Sequence, residues 1–172
     1  MQKYTSKNTS VNTTRAPAVY NKVCWDKLPA GVKVLDWGCG RDTTLTSGML
    51  EQHGLVHVGY DPNWKSEVEN MAAMSLLGIV DAFVCSNVLN VIDDDDDIVR
   101  DICRKASQHK YFFITVYEGD KSGVGKRSKE DCYQRNAKIK SYMQYFTDQA
   151  IHDGLYVKNG VLTNSLKMIK EK

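Results

Sequence analysis

The stretch from Val32 to Thr44 reads V-K-V-L-D-W-G-C-G-R-D-T-T, and its reading decides the fold. An apolar run ends in an acid, turns through two closely spaced glycines and reaches a pair of threonines suited to open a helix. The pattern predicts a strand over Val32–Trp37, a tight turn and a helix N-terminus. Gly38 and Gly40 lack a Cβ, so the backbone there can approach a ligand. Asp36 sets a carboxylate at the carboxyl end of the strand, the edge at which open α/β sheets bind ligands. A second strand-like run, L-V-H-V-G-Y over Leu55–Tyr60, is followed by Asp61. That acid comes about twenty residues after Gly40, the offset at which a carboxylate takes the hydroxyls of a ribose.

The kind of nucleotide follows from what the turn lacks. A dinucleotide fingerprint needs a third glycine where this chain has Thr43, and Asp36 would repel a pyrophosphate. A cofactor with a cationic end and no phosphates fits better, and S-adenosylmethionine (SAM) is such a ligand. Asp36 is then expected near its ammonium, Gly38, Cys39 and Gly40 along its methionine part, and Asp61 on its ribose. Trp64 either lies over the adenine or packs on a helix face, since aromatic side chains serve both roles.

Outward from this centre, 172 residues support one domain, with a net charge of +2 too mild to force a nucleic-acid partner. Residues 1–14 are expected to be a flexible tail and 15–172 the domain. Five cysteines without C-x-x-C spacing read as reduced thiols of a cytoplasmic protein, and no apolar run reaches the length of a membrane span or a signal peptide. Val19, Tyr20, Val23, Cys24 and Leu28 recur at helical spacing before Pro29. A helix is expected from Thr43 or Thr44 to about His53, and another from Lys65 to about Leu77. The short span from Asp61 to Asp81 leaves at most a vestigial strand, so the sheet is abbreviated in its middle. Ala82–Ser86 and Tyr111–Tyr117 read as further strands, and Asp93–Asp97 as the solvated start of a helix carrying Ile98, Ile102 and Ala106 on one face. A mobile loop from Glu118 to about Asn136 and a helix to about His152 come next. The chain closes with strand runs Leu155–Lys158 and Val161–Ile169 around Asn159-Gly160, the dipeptide of a type I′ hairpin. The expected fold is α/β: a Rossmann-like, doubly wound, mostly parallel sheet with a C-terminal antiparallel hairpin.

D-W-G-C-G, then G-Y-D-P, then D-A-F-V-C-S-N-V-L-N-V-I over Asp81–Ile92 resemble the successive motifs of class I SAM-dependent methyltransferases. The resemblance implies that Asn87 and Val88 lie beside the cofactor and the methyl acceptor; Asn90 is equally suited by its side chain to cap or brace the next helix. The tetrapeptide N/D-P-P-Y/F of amino-directed DNA methyltransferases is missing, and no Pro-Cys dipeptide marks the cytosine-C5 class. More narrowly, Arg15-Ala-Pro17, D-x-G-C-G-R, V-L-N-V and Tyr133-Gln134-Arg135-Asn136 are similar to small bacterial and phage methyltransferases of the type associated with DNA phosphorothioation. This implies that Arg15 and Tyr133 to Asn136 close over the site. Asp42, where many relatives have glycine, and the long acidic run depart from the pattern.

Residues 119 to 140 carry Lys121, Lys126, Arg127, Lys129, Arg135, Lys138 and Lys140 against Asp120, Glu130 and Asp131, an excess of four positive charges. Such a segment either holds a phosphate-bearing substrate, with Lys126, Arg127, Gln134, Arg135 and Asn136 as the binding residues, or is simply solvated. Methyl transfer from a sulfonium needs alignment and exclusion of water, and a base only where the acceptor must lose a proton; Glu118 and Tyr133 are the candidates. No metal site is read. The expectation is a methyltransferase acting on a nucleic acid or nucleotide-like acceptor. The alternatives are a SAM-consuming lyase or hydrolase, or a non-catalytic module that keeps the pocket and binds nucleic acid.

Overall fold

The structure, a computed structural model, describes residues 4–7 and 14–172. Its centre is β1 (Lys33–Trp37), an apolar run buried on both faces from Val34 onward. Buried strands of this kind belong inside parallel sheets. β1 pairs in parallel with β2 (Val56–Tyr60) on one side, Trp37 opposite Tyr60, and with β3 (Ala82–Ser86) on the other, Leu35 opposite Phe83. β3 pairs in parallel with β4 (Tyr111–Thr115). The hairpin β7 (Tyr156–Lys158) and β8 (Val161–Thr163) closes the sheet antiparallel, giving the order β2-β1-β3-β4-β8-β7.

Alternation along the strands divides the core into two layers. Leu35, Phe83, Cys85, Phe112 and Ile114 face α4 (Asp96–Ser107) through Ile102, Cys103 and Ala106. Val34, Ala82, Val84 and Phe113 face Leu50 of α2 (Thr44–Glu51), together with Tyr20 of α1 (Val19–Lys22) and Trp25. The protein is thus a mixed α/β fold with helices on both faces of a mostly parallel six-stranded sheet. Among the described residues no helix is long and apolar enough to cross a membrane. All five cysteines are free thiols.

Several expected boundaries shift. The helix after Pro17 lasts a single turn, because Val23 turns extended and bridges to Ile169; a 3-10 turn over Trp25–Lys27 follows, with the Trp25 indole N–H donating to the Tyr20 carbonyl at 2.9 Å. α3 (Glu67–Met74) starts later than Lys65, at a capping box in which Ser66 and Glu69 bond reciprocally. No strand forms between α3 and β3, so β2 is the sheet edge. The segment expected as a loop after Tyr117 contains an antiparallel hairpin, β5 (Lys126–Lys129) and β6 (Cys132–Gln134), with Arg127 opposite Tyr133. The long helix expected to reach His152 is divided into a 3-10 segment, Ile139–Tyr145, and α5 (Asp148–Asp153). Phe146 is extended and buried between them, and Thr147 caps α5 by accepting from the Ala150 N–H. The Asn159-Gly160 turn has positive φ at both residues, +50° and +73°, as type I′ requires. β8 stops at Thr163, well short of Ile169, and a 3-10 turn over Leu166–Met168 follows.

Of the tail expected to be flexible, residues 1–3 and 8–13 lie outside the described residues. Tyr4–Lys7 are seated on the domain. The Tyr4 N–H donates to Asp93 Oδ2 at 2.9 Å, and the Ser6 hydroxyl donates to the Val91 carbonyl at 2.9 Å.

Candidate cofactor site

A cleft of about 350 Å³ opens beyond the carboxyl ends of β1, β2 and β3. It lies where the strand order reverses between β1 and β3, the place at which open α/β sheets take their ligands. Gly38 and Gly40 form one wall. The Gly38 and Cys39 N–H groups both donate to the Tyr60 carbonyl, at 2.7 and 3.0 Å, and so fasten the turn to the end of β2. Trp37 and Tyr60 stack with ring centroids 3.8 Å apart and give the cleft an aromatic floor. Val88, Ile92, Ile98 and Ile102 supply its apolar side.

Asp61 is buried, and its carboxylate accepts from the Gly40 N–H at 2.9 Å and the Asn63 N–H at 2.9 Å. Each oxygen keeps a lone pair for a ligand hydroxyl. Asn70 of α3 clasps the backbone of Asp61 from both ends, accepting from its N–H and donating to its carbonyl at 2.9 and 3.0 Å. Trp64 lies in the turn ahead of α3 with its ring on the cleft, not on a helix face; Lys7 Nζ sits 4.5 Å and the Arg41 guanidinium 5.5 Å from its ring centroid. From the β3 side come Asn87 and Val88. Asn87 holds a left-handed φ of +57° while its N–H donates to the Thr115 carbonyl at 2.9 Å, a constrained conformation at the mouth of the cleft.

Asp42 has a separate role. Its carboxylate accepts from the Thr44 N–H at 3.0 Å and so covers the N-terminus of α2. Hydrogen bonding from the Thr44 backbone and side chain holds its carboxyl below the usual carboxylate range. In a dinucleotide site that helix end receives the pyrophosphate.

Other sequence-predicted residues lie elsewhere. Asp36 does not line the cleft: it is buried under the glycine turn, 2.8 Å from Nε2 of His57 on β2. The Cys39 side chain is also turned inward, against Gly59, and burial pushes its thiol up. Arg15 is exposed and not among the cleft-lining residues, although Pro17 is. Glu118 accepts from the Ile139 N–H at 2.7 Å and lines a small separate cavity shared with Thr115 and Asn87. Tyr133 donates its phenol to Asp94 at 2.9 Å, and burial with that bond pushes its pKa up to about 12. Neither Glu118 nor Tyr133 reaches the cleft as a base.

The expected substrate residues divide in the same way. Gln134 accepts from Asn90 Nδ2 at 3.0 Å and donates to the Tyr117 carbonyl at 2.8 Å, so Asn90 braces β6 and does not cap a helix. Arg135 binds the acidic run, through the Ile92 carbonyl at 2.6 Å, Asp96 at 3.0 Å and the Asp93 carbonyl. Asn136 is buried and donates to the Val124 carbonyl. Gln134 and Arg135 hold the hairpin to the domain and Asn136 closes its neck; Lys126 and Arg127 are exposed on β5, Lys126 pairing with Asp120 at 3.4 Å.

Sequence reasoning missed Asn70, Asp101 and Lys105 of α4, which pair on the cleft wall, and the segment Thr5–Lys7, which lines the cleft mouth. Nothing in local periodicity marks these residues, because their contacts are made across the fold. No family model matches the chain, and no curated protein matches it.

Proposed function

We propose that the chain is a SAM-dependent methyltransferase of the class I, Rossmann-like type, with a nucleic acid or nucleotide-like acceptor. One observation carries the reading: two carboxylates bracket the glycine turn. Asp61, bonded to the Gly40 N–H, stands where a ribose would be held, and Asp42 accepts the first N–H of the helix that would otherwise take a phosphate. An adenosyl cofactor without phosphates suits this pair, and a dinucleotide does not. The cleft adds an aromatic floor, an apolar wall and the basic residues Lys7 and Lys105.

When bound, SAM supplies an electrophilic methyl on a positive sulfur. The chain's contribution is alignment and dryness: Asp61 fixes the ribose end, Trp64 offers a face for the adenine, and Val88 and Asn87 form the wall past which the acceptor approaches. Thr5–Lys7 cover the mouth and exclude water. No side chain within the cleft is needed as a base for an acceptor that attacks through a lone pair.

Titration calorimetry with SAM and with S-adenosylhomocysteine is the test. Both should bind, and Asp61→Ala should lose about 1–3 kcal/mol, the cost of unmatched polar partners. No binding of either ligand would reject the proposal. Methylthioadenosine or homoserine lactone in place of S-adenosylhomocysteine after incubation would move the assignment to a SAM-consuming lyase.

A further inference from the structure

A second cavity, also of about 350 Å³, adjoins the cofactor cleft and shares Asn87 and Val91 with it. Its other walls are Asn90, Tyr117 two residues beyond β4, Ser128 and Lys129 of β5, and Tyr133 and Gln134 of β6. A volume of ~300–1,000 Å³ is that of small-molecule sites. Tyr117 is 65% exposed, although Gln134 Nε2 fixes its carbonyl at 2.8 Å. An exposed aromatic ring held on a fixed backbone beside a cavity offers a face for a planar ligand. The outer strand of the hairpin reads Lys126-Arg127-Ser128-Lys129 with all four residues exposed; Ser128 and Lys129 line the cavity, and the cations Lys126 and Arg127 continue the strand beyond it. Ring face and cation row together are the elements of a site for unpaired bases on a phosphate backbone.

We infer that this cavity takes one unpaired base of a single-stranded nucleic acid, stacked on Tyr117, with the flanking phosphates along β5; the inference rests on the methyltransferase reading for its chemistry. Asn87, shared by both cavities, marks the passage between them. Glu118 is bonded to the Ile139 N–H, and Tyr133, although it lines this cavity, has its phenol proton committed to Asp94, so the fitting nucleophile is a ring nitrogen bearing an in-plane lone pair. That pair forms the new N–C bond, the C–S bond breaks with its electrons going to sulfur, and S-adenosylhomocysteine departs as a neutral thioether. The methylated base then carries the positive charge.

The test is fluorescence anisotropy of a short labelled single-stranded oligonucleotide with the full chain, beside its duplex and without SAM, so that the readout does not depend on turnover. Single strand should bind more tightly than duplex. Tyr117→Ala should weaken it about tenfold, in keeping with the contribution of one base stacked on an aromatic ring. Tyr117→Phe should bind as the wild type does, and Lys126→Glu with Arg127→Glu should weaken binding and flatten its salt dependence. SAM calorimetry on Tyr117→Ala checks that the neighbouring cleft is intact. Equal binding by Tyr117→Ala, or equal binding of duplex and single strand, would overturn the inference. Tyr117-dependent binding without SAM binding would leave this cavity standing and remove the methyltransferase reading; SAM binding with no Tyr117 dependence would do the reverse.

Discussion

Replacing Gly38 by alanine should damage this protein in two separable ways. Gly38 holds φ at +81°, a left-handed conformation that costs an alanine about 1–2 kcal/mol. Its added Cβ would also lie 2.3 Å from Cγ2 of Val88, whereas carbon atoms pack at about 3.5–4.0 Å. Overpacking of that kind costs about 1–3 kcal/mol. The sum, about 2–5 kcal/mol, is a large part of the ~5–15 kcal/mol that keeps a domain folded. Val88→Ala alone should cost about 0.5–1.5 kcal/mol, because Val88 is only half-buried. In the double variant the collision disappears and the dihedral strain stays, so the two changes should couple by about 1–3 kcal/mol. Urea unfolding followed by tryptophan fluorescence measures all four corners of the cycle. Calorimetry with SAM should show Gly38→Ala binding at least about tenfold more weakly, since the displaced Val88 moves the cleft wall, with part of the loss recovered in the double variant. A cost below about 1 kcal/mol for Gly38→Ala, or strictly additive effects, would refute the close packing of the glycine turn against Val88.

Three further outcomes are expected. His109 donates Nδ1–H to the Val80 carbonyl at 2.7 Å and accepts from the Gly78 N–H at Nε2, a neutral tautomer whose protonation would set two donors face to face; burial lowers its pKa from 6.5. The unfolded chain therefore binds the proton more readily, so stability should fall as pH drops below about 6.5, and denaturation of His109→Gln across pH 5–7.5 should show a smaller decline. Tyr133→Phe removes the bond to Asp94 and should cost about 1–2 kcal/mol in urea unfolding while SAM affinity stays within about twofold; a large loss of affinity would return the phenol to the cofactor site. Deleting residues 1–7 uncovers Trp64 and the cleft mouth, so stopped-flow tryptophan fluorescence, reporting on Trp37 and Trp64 in the cleft, should show faster SAM association and dissociation, and unchanged rates would place the segment outside the binding path.

The glycine turn, Asp61 and Asn87 were legible because each is a local requirement. A tight turn needs glycine, and Asp61 and Asn87 each stand where an apolar strand run gives way to polar residues. Asp36 shows the limit of the same argument. Its place at the end of β1 was legible, but its direction was not, because His57 belongs to a different strand and only the β1–β2 register brings the two together. The long helices expected after Pro17 and before His152 failed for a related reason: apolar spacing fits a helix in both places, yet Val23 is drawn into a bridge with Ile169 and Phe146 is buried in an extended conformation. Lys and Ser at β5 have weak strand preference, so the hairpin was hidden; Gln134 and Arg135 fasten it to Asn90 and to the Ile92 carbonyl, and Asn136 closes its neck on the Val124 carbonyl. The base candidates Glu118 and Tyr133 were chosen by residue type, and residue type does not tell a free group from one already engaged.

The run Asp93–Asp97 looks like a tract of interchangeable letters. In the fold each of the first four addresses a different correspondent: Asp93 receives the Tyr4 N–H, Asp94 the Tyr133 phenol, Asp95 the Ile98 N–H and Asp96 the Arg135 guanidinium. Asp97, its side chain 95% exposed, only meets Arg100 across one helical turn. A mutational scan of five identical residues would thus return unequal tolerances, with Asp97 freely replaced and its neighbours each failing in its own way. The repetition lies in the alphabet and not in the message.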